Sequence, residues 1–68
     1  MIMRIILNGN ETTIPDAMDV SALIVHCKLT PDKVAVEINR RLVRSDKYST
    51  PLHEGDQVEI VTFVGGGA

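Results

Sequence analysis

One segment of the chain has a helical period, and its flanks restrict what can form around it. Val20, Leu23, Ile24 and Cys27 fall at i, i+3, i+4 and i+7, one face of an α-helix expected over Asp19 to Lys28. Asp19 is placed to cap its first turn, and Met18 to pack on Leu23 as a hydrophobic staple. Lys28 suits the negative end, and Pro31 prevents continuation. On both sides the period falls to two. Met3, Ile5 and Leu7 share one face of a strand that runs into Asn8-Gly9-Asn10, residues that tolerate the positive φ of a tight hairpin turn. Glu11 to Ile14 returns, closed by Pro15. After the helix, Val34, Val36 and Ile38 alternate, Asn39-Arg40 forms a turn, and Leu42-Val43 is a short apolar pair. From Arg44 to Leu52 the chain is polar, with room for one helical turn near Asp46 to Tyr48. His53-Glu54-Gly55-Asp56 reads as a turn and Gln57 to Val64 as the last strand. In that strand Val58 and Ile60 face inward, and Val61 and Phe63 face the opposite way.

A single helix among short strands leaves few layer arrangements. The order hairpin, helix, strand, short strand, loop, last strand is satisfied by a small α+β domain of four to five mixed strands wrapped on one main helix. The last strand then lies parallel to the first. This is the β-grasp, or ubiquitin-like, architecture, expected over residues 1–64, with a flexible Gly-rich tail over 65–68.

Composition narrows the function. A chain of 68 residues has a thin core, since about 60% of the unfolded surface is buried at this size. A deep preformed pocket of the kind self-contained enzymes use is therefore not expected. Net charge is −2, and Tyr48 and Phe63 are the two aromatics, which argues against phosphate backbones and stacked bases as partners. No apolar run approaches the roughly 20 residues that cross a bilayer, and Met1 to Leu7 does not have the form of a signal peptide. One cysteine, Cys27, forms no intramolecular disulfide. A reduced, cytoplasmic protein without nucleic-acid or membrane partners is the expectation. His26 and His53 have no neighbour at metal-ligand spacing, so no metal is expected. Cys27 reads as a small buried hydrophobe, and Arg40, Arg41 and Arg44 as a solvated cluster around a turn. Asp16 and Asp19 are accounted for by capping and the helix dipole. No Ser-His-Asp or Cys-His pattern, phosphate loop or paired carboxylate is present, so no catalytic residue is expected.

Gly65-Gly66-Gly67-Ala68 is the segment a β-grasp does not need. Without side chains beyond a methyl, such a tail fits a narrow channel in a partner, because glycine allows close backbone approach and unusual φ/ψ. Extended at roughly 3.3–3.6 Å per residue, it reaches more than ~10 Å from the body. The ending Phe63-Val64-Gly65-Gly66-Gly67 resembles that of the ThiS family, sulfur carriers of thiamin biosynthesis. The Asn8-Gly9 turn, Val34-Ala35-Val36-Glu37-Ile38-Asn39 and Glu54-Gly55-Asp56 resemble it too, and the likeness covers essentially the whole chain.

The resemblance implies a carrier whose working group is a C-terminal carboxylate. A ubiquitin-activating-type adenylyltransferase would adenylate it with ATP and magnesium, a sulfur-donating enzyme would supply sulfur, and thiazole synthase would take that sulfur from the resulting thiocarboxylate. The chain itself would be substrate and donor, not enzyme, with no cofactor stably bound. Gly65 and Gly66 would thread the partner active sites. Family tails end on glycine, so Gly67 is expected to carry the thiocarboxylate after removal of Ala68; otherwise Ala68 carries it. Val61, Phe63 and Val64 are expected to dock partners, since an outward apolar patch beside a working tail suits an interface. Two alternatives stand: the small subunit of molybdopterin synthase, which resembles the same fold, and a β-grasp binding module that needs no special C-terminus.

Overall fold

The computed structural model of the chain describes residues 1–63. Strands β1 (Ile2–Leu7), β2 (Asn10–Pro15), β3 (Val34–Ile38), β4 (Arg41–Val43) and β5 (Gln57–Thr62) form a single sheet in the order β2-β1-β5-β3-β4. β1 and β5 run parallel at its centre, and every other neighbouring pair is antiparallel. Helix α1 (Val20–His26) covers one face. This is the expected β-grasp, with five strands.

The alternation places Met3, Ile5, Ile14, Val34, Val36, Val58 and Ile60 on the covered face, all buried. Val20, Leu23 and Ile24 of α1 are fully buried against them. Each such side chain taken out of water contributes about 1.5–3 kcal/mol. Asp19 caps α1 as its spacing implied, Oδ1 accepting from the Ala22 N–H at 2.7 Å. Met18 packs against the core.

The helix ends earlier than its apolar stripe suggests. Cys27 is its C-cap, and Lys28 takes a left-handed conformation at φ 62. The Lys28 N–H then donates to the Val25 carbonyl at 2.8 Å and the Leu29 N–H to the Ile24 carbonyl at 3.0 Å. Those paired bonds are a Schellman closure, made here without the usual glycine. Cys27 is half-buried at the edge of the core, and its burial pushes the thiol pKa up.

β5 differs from expectation at its far end. It was expected to reach Val64, but the ladder ends at Thr62, with the Phe63 N–H still donating to the Lys33 carbonyl at 2.8 Å. Val64 and the tail over 65–68 lie outside the described residues. A 3-10 turn over Pro31–Lys33, unforeseen from the sequence, delivers the chain into β3. A second, over Ser45–Lys47, sits one residue before the turn expected near Asp46 to Tyr48. The segment read as polar contributes two core side chains, Tyr48 and Leu52. They close the end of the core beside α1: the Ser21 N–H donates to the Tyr48 carbonyl at 2.8 Å, and the Leu52 N–H to Met18 at 3.0 Å.

Candidate functional site

The candidate site is the outer surface of β5 and the chain that leaves it. β5 is the middle strand, so its path is set from both sides. Toward β3 it pairs over all but its first residue, from Ile38 opposite Val58 to Val34 opposite Thr62. Toward β1 the backbone pairing covers only Ile6 with Gln57 and Leu7 with Val58, because β1 turns away at Asn8.

A side chain continues the ladder there. Asn8 Oδ1 accepts from the Ile60 N–H at 2.8 Å, and Asn8 Nδ2 donates to the Ile60 carbonyl at 3.3 Å. The amide thus stands in for a peptide unit of β1. Asn39 does similar work at the other border: its Oδ1 accepts from the Gln57 N–H at 3.0 Å, and its Nδ2 donates to Asp56 Oδ1 at 3.1 Å. Asp56 also accepts through Oδ2 from the His53 N–H at 2.9 Å, fixing the loop before β5. Sequence reasoning identified both asparagines as turn residues but missed these bonds. The available signal was an Asn at the first position of each tight turn.

The outer face of β5 is the face α1 does not cover. Val61 and Phe63 are 57% and 55% exposed, so neither belongs to the core. Glu59 precedes Val61 on this face and stands directly opposite Glu37 of β3. Those two glutamates, with Ile6, Gly9, Arg40 and Gln57, line an open depression of about 370 Å³. Ile2 and Leu42, on the same face by register, are also largely exposed.

Of the other candidates, His53 lies 3.9 Å from Asp56 and His26 is exposed at the end of α1. Among the described residues no group of three or more His, Cys, Asp or Glu could hold a metal ion. Arg40, Arg41 and Arg44 are exposed around β4, and Arg44 reaches Asp46 at 3.9 Å. A surface ion pair of that length contributes little. Among the described residues, no helix is long and apolar enough to cross a membrane. Val64, Gly65, Gly66, Gly67 and Ala68 fall outside the described residues, as does any geometry at the expected reactive end.

Comparison with known proteins places this arrangement. A crystal structure of the thiamine biosynthesis protein ThiS from Geobacter metallireducens aligns with a TM-score of 0.80 at 29% identity, covering 96% of this chain and all of that one. A solution structure of a thiamine biosynthesis protein from the same organism gives 0.82 at 28%, covering 97% and 90%. A thiazole synthase of Paramagnetospirillum magneticum is 37% identical over 97% of this chain, and one of Magnetococcus marinus 38% identical over 96%. The chain spans about a fifth of the length of either, 21% and 20%. An uncharacterized protein of Porphyra purpurea, ycf40, is 31% identical over 90% of this chain and 87% of its own. The ThiS family model matches residues 3–67, nearly the whole sequence, and the chain belongs to the ThiS family.

Proposed function

We propose that the chain is a sulfur carrier for formation of the thiamin thiazole, working in the cytoplasm as a substrate and donor for partner enzymes. The observation that carries this reading is the extent of the family match, which runs through Gly65, Gly66 and Gly67 and stops before Ala68. The two relatives called thiazole synthase support the same pathway.

A free carboxylate is a poor electrophile, so the carrier must be activated from outside. A ubiquitin-activating-type adenylyltransferase joins the terminal carboxylate to the α-phosphate of ATP, with magnesium, and releases pyrophosphate. Sulfur released at the sulfide level, as hydrosulfide, by a sulfur-donating enzyme attacks the acyl carbon. The acyl–phosphate bond breaks so that AMP leaves with its bonding pair, and the thiol proton is lost to leave a thiocarboxylate. Thiazole synthase takes that sulfur for the ring. Gly67 carries the group once Ala68 is removed, since a methyl beside the reacting carbon crowds a channel shaped for glycine. Gly65 and Gly66 pass through that channel, while Val61, Phe63 and Val64 hold the body at its mouth.

The test is intact-protein mass spectrometry after incubation with the cognate activating enzyme, ATP and a sulfur source. Replacement of one oxygen by sulfur, mapped to Gly67, is the expected result. An unmodified chain, including a version ending at Gly67, with an enzyme active on another carrier, would overturn the reading. Removal of residues 65–68 is expected to abolish modification and leave the melting temperature unchanged. Phe63→Ala is expected to weaken capture by the partners and shift stability by less than about 0.5 kcal/mol, as for exposed positions generally. A large loss of stability on chemical denaturation would place Phe63 in a structural role instead.

A further inference from the structure

Two features unfavourable to the fold meet on the open face of the sheet. Glu37 and Glu59 are exposed and directly opposed across the β3–β5 ladder, an arrangement in which like charges repel. Among the described residues neither joins an ion pair. Arg40 holds the second position of the β3–β4 turn at φ 70, where glycine sits without strain. All three side chains line the same depression, and none belongs to the core. Local conflicts of this kind are retained chiefly where a surface has a task.

The layout along β5 says what could cover that surface. Outward residues follow in the order Gln57, Glu59, Val61, with Phe63 just past the strand end. Successive outward positions lie about 6.6–6.8 Å apart. The acidic pair is therefore one step from Val61 and two from Phe63, on the side away from the tail. Two carboxylates against the one guanidinium of Arg40 leave the depression net negative, so the complementary surface is apolar nearest the tail and cationic beyond it.

Resting on the sulfur-carrier reading above, we propose that Glu37 and Glu59 receive lysine or arginine side chains of thiazole synthase, beside an apolar patch that takes Val61 and Phe63. The synthase is chosen over the adenylyltransferase because two relatives of that name carry a segment matching this chain within their own polypeptides. The contact serves recognition, and no residue in it takes part in the chemistry.

The experiment is titration calorimetry of the full chain and of a Glu37→Gln/Glu59→Gln variant against the cognate thiazole synthase, at low and high salt, with melting temperatures of both chains. The dissociation constant of the variant is expected to rise about tenfold at low salt, and the difference to shrink at high salt as screening grows. Its melting temperature is expected to hold or rise, because the like-charge pair is gone. Equal affinity at low salt would overturn the proposal, as would a loss of affinity accompanied by a lower melting temperature. Weakened binding to the adenylyltransferase alone would overturn the choice of partner. If the original chain acquires a thiocarboxylate but does not bind the synthase, only this proposal falls; if it does neither, the carrier reading falls with it.

Discussion

The β1–β2 turn and the β3–β4 turn share a backbone but differ in what their asparagines reach. Both have two left-handed central residues, Asn8 at φ 50 with Gly9 at 83, and Asn39 at 52 with Arg40 at 70. Both match the right-handed twist of the strands they join. The bonds of Asn8 are partly buried, because Ile60 is buried, and they give a donor and an acceptor to that single residue of the central strand. Asn39 works at the exposed border, dividing its bonds between Gln57 and Asp56. Gly9 relieves the first turn of strain, whereas Arg40 leaves it in the second. An asparagine in a tight turn can therefore act as a conformational device and as a surrogate peptide, and burial decides how much the second role contributes.

Substitutions at these positions test that comparison. The largest effect is expected from Asn8→Ala, which leaves both backbone groups of Ile60 unpaired and puts alanine at a positive φ. A loss of about 2–4 kcal/mol follows from two unsatisfied, partly buried groups, read as a lower urea midpoint and faster amide exchange at Ile60. Asn39→Ala is expected to lose about 1 kcal/mol, since water takes the place of the lost amide at an exposed site. Equal losses at the two positions would show that the left-handed backbone, and not the side-chain bonds, dominates. The smallest effect, and of opposite sign, is expected at Arg40. Arg40→Gly should gain up to about 1 kcal/mol from relief of the left-handed strain, less the greater entropy of glycine in the unfolded chain. For a chain of this size that is a rise in melting temperature of about 4–8 °C at most. A fall would mean that the Arg40 side chain supports the sheet.

Much of this molecule is legible in its sequence, and the illegible parts have physical reasons. The first hairpin is announced by Asn8-Gly9, the helix by Val20, Leu23, Ile24 and Cys27, and its start by Asp19. Parallel pairing of the first and last strands follows from the layer rule. Tyr48 and Leu52 escape because isolated apolar residues in an irregular segment have no period to reveal them, and their burial depends on where α1 comes to rest. The helix terminus is misplaced because a lysine takes the role glycine usually announces. The Asn8 bonds span 52 positions in sequence, a separation at which local pattern says nothing. At the candidate site, the outward direction of Val61 follows from alternation. The opposition of Glu37 and Glu59 needs the register, which no single strand encodes.

The strand order has a consequence for how such a protein is made. Among the described residues β5 is the last strand along the chain and the middle one in the sheet. A nascent chain interrupted before residue 57 has two separate ribbons, β1–β2 and β3–β4, that share the cover of α1 but lack the strand that pairs with both, and two-stranded ribbons are marginal in water. The sheet can close only when synthesis has reached within a few residues of the glycines. Products of premature termination before residue 57 would then remain unfolded and exposed to proteolysis. They would not present the finished outer face of β5, so the topology ties closure of the sheet to synthesis of its middle strand.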